Sequence, residues 1–336
     1  MNDFNWNWKI SDIKQDKDVT VFSTFSCGGG SSLGYKRAGF NVIGNVEIDP
    51  KINDLYITNN KPKFNYCQDL RAFNLREDLP EELYRLDILD GSPPCTSFST
   101  VGIREKGWNK AKRFREGQAY QRLDDLFFVF LDTVEKLRPR VVIAENVVGI
   151  TRGKAKGYVK IVIDRFKELG YNVQVFQLNA AYMDVPQARH RVFFVANRCG
   201  RPELKLDFCQ EPIRFGSVRT ERGVEPGGTF GTLLNCATEN DRSLADVAKR
   251  LTGDGNKYFS SMIVSDNQVA PCVTSAGAYY RLADKSLFSA GDFINVQTFP
   301  QDYNFKKQNI QYVCGMSVPP NMMANVALEV WKQWLS

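Results

Sequence analysis

Apolar and polar positions fall into alternating blocks along the first part of the chain. Short runs rich in valine, isoleucine and leucine, bounded by glycine, proline or acidic residues, predict buried strands, and stretches with apolar side chains three and four apart predict helices. On that basis Val19 to Phe25 is a strand, followed by the glycine turn Ser26-Cys27-Gly28-Gly29-Gly30 and a helix to about Ala38. Phe40 to Val46 forms a second strand, Pro50 to Asn59 a helix, and a weaker third strand ends near Asp69. Leu86 to Asp90 is the fourth strand, Leu123 to Leu137 the clearest helix, and Val141 to Glu145 the fifth strand. Val159 to Leu169 is another helix, and Tyr171 to Leu178 and Val192 to Ala196 are further strands. Near-continuous apolar strands separated by helices predict an α/β fold whose parallel-rich sheet is covered on both faces.

After Asn197 the periodicity fades. Proline and glycine accumulate at Pro202, Pro212, Pro226-Gly227-Gly228, Gly253 and Gly277, which predicts a smaller, loop-rich module. Order returns from about Leu287 and ends in an amphipathic helix to Trp334. The expected organisation is a catalytic and cofactor-binding domain over 1–196, a recognition module over 197–284, and a segment over 285–336 that returns to the first domain. Residues 1–18, polar with two tryptophans, are expected to pack as a lead-in on the surface.

Composition narrows the chemistry. The chain has 336 residues, and Lys+Arg 44 against Asp+Glu 38 leaves a net charge of +6, a modest excess that permits a polyanionic partner without requiring one. The densest basic cluster, Arg104, Lys106, Lys110, Lys112, Arg113 and Arg115, follows Cys95 directly, where it suits phosphate contact. Eight scattered cysteines without a Cys-x-x-Cys, and a single histidine, His190, argue against a zinc site and a Ser-His-Asp triad. No apolar core marks a signal peptide and no uncharged run approaches membrane length, so reduced thiols and a cytoplasmic location are expected.

Two constellations carry candidate chemistry. The glycine turn lacks the last glycine of a dinucleotide fingerprint, Leu33 standing there, and lacks the Gly-Lys-Ser/Thr of a phosphate loop. It therefore fits an adenosyl cofactor without phosphates. Glu47 and Asp69, at the ends of successive strands, could accept hydrogen bonds from ribose hydroxyls and an adenine amino group, or could cap helices. Cys95, at the end of the fourth strand behind Pro93-Pro94, is a candidate nucleophile. A free thiol titrates near about 8.5, so it needs electropositive neighbours, and Arg189 and Arg191 in the strand-like run 187–191 could supply them. Glu145 ends a buried strand, where desolvation would let it hold a proton. Alone, each residue also suits a structural role: a Pro-Cys turn, a satisfied strand-end carboxylate, a solvated edge strand.

Phe25-Ser26-Cys27-Gly28-Gly29-Gly30, Glu47, Asp69, Pro93-Pro94-Cys95, Glu145-Asn146-Val147, Gln187 to Arg191 and Gly315-Met316-Ser317-Val318-Pro319-Pro320 together resemble the ordered motifs of the DNA (cytosine-5) methyltransferases. The likeness covers about the first 196 and last 50 residues, with Pro271-Cys272-Val273-Thr274 between them. It implies a Rossmann-like S-adenosylmethionine-dependent methyltransferase sheet with a smaller target recognition domain. It further implies Cys95 as nucleophile toward carbon 6 of an extruded cytosine and Glu145 as the acid at the ring nitrogen. Arg191 would bind the carbonyl oxygen of the base, with Arg189 near the thiolate or a phosphate.

The same resemblance implies a cofactor site of Phe25, Ser26, Gly28, Gly29, Gly30, Glu47, Ile48, Asp69, Leu70, Pro93, Ser317 and Val318. The implied DNA contacts are Ser97, Arg104, Lys112, Arg113, Gln187, Thr274 and Arg281, on a loop from 96 to about 115 that closes over the substrate and on the recognition module. The implied partner is double-stranded DNA, without metal or membrane, bound by a probable monomer of bacterial or phage origin associated with the nucleoid. Methylation of a structured RNA such as tRNA and a catalytically silent DNA-binding protein stand as alternatives. Four positions depart from the family pattern: Cys27 for glycine, Thr96 for glutamine, Met316 for asparagine and Gly291-Asp292 for an Arg-Glu pair.

Overall fold

The computed structural model describes residues 4–94, 111–112, 121–122, 126–152, 155–255 and 257–336, with the backbone alone at 111–112, 121–122 and 155–156. These residues pack as two compact units. The first comprises Ile13–Leu178, His190–Asp207 and Met323–Ser336, and the second comprises Met1–Asp12, Asn179–Arg189 and Phe208–Met322.

The first unit is the α/β sheet that the apolar runs predict. In chain order it holds β1 (Thr20–Thr24), α1 (Gly30–Arg37), β2 (Asn41–Glu47), α2 (Pro50–Asn60), β3 (Phe64–Cys67), α3 (Leu70–Asn74) and β4 (Ile88–Gly91). An antiparallel pair, β5 (Ala111–Lys112) and β6 (Gln121–Arg122), precedes α4 (Leu126–Leu137). Then come β7 (Val141–Val147), α5 (Ala155–Glu168), β8 (Asn172–Asn179), the short β9 (Gln187–Ala188) of the second unit, and β10 (His190–Asn197). The seven-stranded order is β3-β2-β1-β4-β7-β10-β8. β2, β1, β4 and β7 pair in parallel and β10 runs antiparallel to β7.

Alternation along each strand assigns two different faces. Phe22, Val46, Leu89, Val142, Ala144 and Phe194 point into an apolar core shared with Phe73 of α3, Phe127 and Phe130 of α4, and Val162 and Phe166 of α5. Phe22 stacks on Phe73 at 5.5 Å between ring centroids. The opposite face carries polar side chains in register: Asn65 opposite Asn45, Asn45 opposite Ser23, and Ser23 opposite Asp90. A parallel sheet buried on both faces ordinarily reads as apolar throughout, so this row is the departure that local composition does not explain.

In the second unit, β9 pairs in parallel with β12 (Ala270–Pro271). β11 (Ser261–Val264), β13 (Ala278–Arg281) and β14 (Ser286–Leu287) form a small sheet. Its core joins Leu233 and Leu234 of α6 (Gly228–Asn235) and Leu244 and Val247 of α7 (Leu244–Thr252) to Ile263 and Tyr280. Gly253 ends α7 with φ 82°, the left-handed cap that glycine adopts without strain. The helices α8 (Ala290–Val296), α9 (Ile310–Met316) and α10 (Pro320–Val330) follow. The lead-in is not a surface appendage throughout: Trp8 is buried, and its indole nitrogen donates to the Thr298 carbonyl at 2.9 Å. Among the described residues no helix is long and apolar enough to cross a membrane.

Candidate active site

Glu145 lies at the carboxyl end of β7, and β10 brings Phe193 opposite it. Arg191, two residues earlier on β10, reaches the same face, and its Nε lies 2.8 Å from Glu145 Oε1 with both side chains largely buried. Nη1 of Arg191 donates to the His190 carbonyl at 2.8 Å. The carboxyl group and the guanidinium thus stand side by side on one face of the sheet, where a single ligand could meet both. Asn146, next along β7 and 4% exposed, donates from Nδ2 to the Pro93 carbonyl at 3.1 Å and accepts from the Val147 amide at 2.9 Å. It ties the proline turn at the end of β4 to the strand that carries Glu145. In the sequence Asn146 stands out only as part of Glu145-Asn146-Val147, and its small polar side chain near a strand end is the signal for this tie. Cys95 itself lies outside the described residues, as do Thr96, Ser97, Arg104 and Arg113, and Lys112 is described by its backbone only.

The glycine turn follows β1 through unusual backbone. Phe25 has φ 52° and Cys27 φ 46°, both left-handed and both costly for a residue with a Cβ, on the order of 1 kcal/mol each. The conformation at Cys27 explains why glycine is the commoner choice there. Gly29 has φ 81°, and a Cβ on it would lie 2.2 Å from Nδ2 of Asn60, so α2 packs directly on the turn. Gly29 caps α1 with no side-chain bond, Gly28 and Gly30 are buried beside it, and the Ser31 hydroxyl at the start of α1 is buried without a partner among the described residues. Ser26 is held from below, accepting from Asn45 Nδ2 at 3.0 Å.

Glu47, 9% exposed, accepts from the Cys27 amide at 2.8 Å and the Asp49 amide at 2.9 Å. Burial pushes its carboxyl above the ordinary range, and those amide bonds oppose the push. Asp69 is half-exposed, caps α3 by accepting from the Arg71 amide at 2.8 Å, and lies 3.3 Å from the Arg71 guanidinium. Ile48 is half-buried beside Glu47, Pro93 is buried, and the Leu70 side chain belongs to the apolar core.

Gln187 and Arg189 belong to the second unit. Arg189, expected near the thiolate or a phosphate, is 2% exposed in the second unit. Nη1 donates to the Val273 carbonyl at 2.8 Å, and Nη2 to the carbonyls of Gly315 and Ser317, both at 3.0 Å. Gln187, expected to contact DNA, is fully buried: Nε2 donates to Gln297 Oε1 at 2.7 Å, and Oε1 accepts from the Val273 amide at 2.9 Å. Gln297 in turn donates to the Ser317 carbonyl at 2.7 Å. These side chains clamp the turn at Val273-Thr274 to the turn at Gly315–Val318. The two turns approach so closely that a Cβ on Gly315 would lie 2.3 Å from the Thr274 carbonyl carbon. Thr274 is half-buried, its amide donating to the Tyr279 hydroxyl at 2.8 Å. Ser317 and Val318 are 3% and 4% exposed.

Arg281, also expected at DNA, is a buried brace. It is 3% exposed, and its Nη2 lies 2.8 Å from Asp284 Oδ2 and its Nη1 3.4 Å from the fully buried Asp292. It also donates to the Glu221 carbonyl at 2.6 Å. Asp292 belongs to the capping box of α8 and accepts from the Thr220 amide at 2.9 Å. Asp292, at one of the positions that depart from the expected pattern, thus meets a guanidinium brought from β13. Arg281→Met is expected to destabilise the protein by about 3–5 kcal/mol, the usual consequence of stranding a buried charge, measured by urea denaturation. An unchanged midpoint together with lost DNA affinity would return Arg281 to the DNA-contact role.

A strand-end acid paired with a guanidinium, beside a glycine turn on a parallel-rich sheet, defines an α/β enzyme with its site at the carboxyl ends of the strands. Residues 19–332 match the family model described as C-5 cytosine-specific DNA methylase, and the chain belongs to that family. The Type II methyltransferase M.NgoPII of Neisseria gonorrhoeae is 33% identical over 94% of this chain and 96% of that one. M1.HphI of Haemophilus parahaemolyticus is 28% identical over 94% and 87%. M.FnuDI of Fusobacterium nucleatum is 36% identical over 54% of this chain, and the chain spans about half, 47%, of that relative. Among solved structures, a Spodoptera frugiperda DNMT2 mutant shares the fold with a TM-score of 0.63 at 16% identity, covering 94% of this chain and all of that one.

Proposed function

We propose that the chain methylates carbon 5 of a cytosine turned out of a specific duplex DNA sequence, using S-adenosylmethionine and a transient bond to Cys95. The observation that carries this reading is the Glu145–Arg191 pair, joined through Asn146 to the turn that leads into Cys95. The Cys95 thiolate adds to carbon 6 of the ring, forming the sulfur–carbon bond, while Glu145 holds a proton at the ring nitrogen and thereby keeps charge from accumulating there. Arg191 Nη2 faces the carbonyl oxygen of the base. Once carbon 5 has taken the methyl group, its proton passes to solvent water, the proton at the ring nitrogen returns to Glu145, and the sulfur–carbon bond breaks to release the Cys95 thiolate, which restores the ring and the free enzyme. Arg189 acts through the clamp rather than on the thiolate.

The residues at the glycine turn suit an adenosyl cofactor. The uncapped amino terminus of α1 and the partnerless Ser31 hydroxyl suit a carboxylate, and Glu47 and Asp69 at successive strand ends suit ribose and adenine. When bound, S-adenosylmethionine supplies an electrophilic methyl group. Ser97, Arg104, Lys112, Arg113 and Thr274 are retained as the proposed DNA contacts, residues 197–284 as the proposed recognition module, and a monomer in a bacterial or phage-infected cytoplasm as the working unit. Relatives from bacteria and from Bacillus phage rho11s support that origin.

Labelled methyl transfer to duplex DNA is expected, with bulk tRNA accepting none, and a duplex with 5-fluorocytosine at the target is expected to trap a covalent adduct. Label on tRNA alone would transfer the reading to RNA, and neither label nor adduct would leave a silent DNA-binding protein.

A further inference from the structure

Asp90 has no part in the reaction steps above, yet it lies at their centre. It is 1% exposed on β4, five residues before Cys95, and it belongs to the polar row that crosses the sheet. The row divides into two hydrogen-bonded groups. Asn45, Asn53 and Asn65 close on one another at 2.7–3.2 Å and reach Ser26 of the glycine turn. Asp90 receives the Ser23 hydroxyl on Oδ2 at 2.7 Å and the Tyr35 hydroxyl on Oδ1 at 3.2 Å. The Thr24 hydroxyl donates to the Asp90 carbonyl at 3.0 Å.

Every partner of Asp90 stands on an element that runs straight into the site. β1 ends one residue before Phe25, and α1, which carries Tyr35, begins at Gly30. β4 ends at Gly91, ahead of the proline turn. On the neighbouring strand, Asp90 is in register with Ile143, and Glu145 projects from the same face two residues on. Ser23, Tyr35 and Asp90 thus join the strand ahead of the glycine turn, the helix behind it and the strand ahead of the nucleophile.

We propose that Asp90 is a positioning residue of the methyl-transfer reaction: through Ser23 and Tyr35 it fixes β4, the strand that leads toward Cys95 in the chain, against the strand before the glycine turn and the helix behind it. The inference rests on the reading of Cys95 as nucleophile.

The chemistry of the group explains why an acid, rather than an amide, stands here. Burial pushes the Asp90 carboxyl up to about 7, the Ser23 and Tyr35 bonds oppose that push, and the nearby Glu145 adds to it. Tyr35 is itself raised well above the ordinary phenol range by burial and by Asp90, so it remains a donor. Tyr56 of α2, bonded to the Ser32 hydroxyl at 2.7 Å, is the other titratable group facing Asp90 among the described residues, and burial raises it too. When ionised, Asp90 accepts from both hydroxyls, and such charge-assisted bonds are short and directional. When protonated, it must donate, and one of the two contacts has to turn round or break.

Stability runs the other way. The folded protein keeps this proton to about 7, whereas an unfolded aspartate releases it near 3.8. Asp90 therefore contributes stability that is present below the unfolded value and is lost as pH rises through the folded one. The ionised state that orients both donors is the less stable one, a trade expected at a functional position.

The test compares the parent enzyme, Asp90→Asn and Tyr35→Phe between pH 5 and pH 8. Single-turnover transfer, KM for each substrate, adduct formation on the 5-fluorocytosine duplex and thermal midpoints are measured. Asp90→Asn is expected to lower the transfer rate about tenfold with KM within about twofold, since small misplacements of a reacting group are costly. Tyr35→Phe should lower it by less. The parent rate should fall below pH 7 in a step that Asp90→Asn lacks. The thermal midpoint of the parent, relative to Asp90→Asn, should fall from pH 5 to pH 8, which also shows that the variant folds. A parent that traps the adduct beside an Asn variant of unchanged rate and pH profile overturns the inference alone. A parent that traps no adduct overturns the reading of Cys95, and the inference with it.

Discussion

Exchange of Cys95 for serine is expected to reduce methyl transfer by roughly 10⁴- to 10⁶-fold, the range that follows loss of a covalent nucleophile. A thiol titrating near about 8.5 is a few per cent thiolate at neutral pH and strongly nucleophilic in that form, whereas a hydroxyl is a weak nucleophile unless a base takes its proton. The described site contains an acid and a guanidinium at this end of the sheet, not a histidine base: His190 is exposed, and its carbonyl rather than its ring serves Arg191. Serine therefore has no route to an alkoxide, and the addition to carbon 6 fails. Binding of cofactor and duplex should persist, because Cys95 is assigned to bond formation alone. Scintillation counting of labelled duplex after a single turnover measures the loss, and residual transfer above about one per cent of the parent would exclude Cys95 as nucleophile.

The second large effect is expected at Glu145. Glu145→Gln keeps the shape of the side chain and an oxygen for Arg191 Nε to donate to, but it removes the proton that the ring nitrogen needs. General acid catalysis is worth about 10²–10⁴-fold, and the rate should fall by that factor with KM little changed, since the interaction is made in the transition state. Arg191 then keeps an amide oxygen as its partner in place of the carboxyl group. Both side chains are little exposed, at 13% and 10%, so a stability loss of about 1–3 kcal/mol is expected, well short of unfolding. Rapid-quench measurement of the first turnover separates the effects, and a Gln variant within tenfold of the parent would remove Glu145 from the acid role.

The strands and helices were legible because each is locally consistent. The run Val141 to Glu145 has little choice but to be a buried strand, and Leu126–Leu137 has apolar residues at helical spacing. The place of Glu145 on β7 was legible for the same reason, an acid following four apolar residues, although the strand runs on to Val147. Arg189 and Arg191 were not. Read as one alternating strand they share an edge, but β9 stops at Ala188 and β10 starts at His190, and the two arginines belong to different compact units. Local spacing carries no information about that break. Arg281 and Gln187 misled for a related reason: a charged or amide side chain in a loop-rich segment looks like a surface contact until a buried partner such as Asp292 or Gln297 is brought to it from elsewhere in the chain.

The amino-acid order by itself determined the element sequence, the location of Glu47, Asp69 and Glu145 at or near strand ends, and the family that the model match bears out. These depend on periodicity and turn chemistry within a few residues. Tertiary structure decided which polar groups meet. Only strand register sets Asp90 against Ser23 and beneath Tyr35, and only the pairing of β10 with β7 delivers Arg191 to Glu145. A side chain's partner across a sheet is fixed by the register of separate segments, and that register follows from burying whole faces rather than from any local pattern.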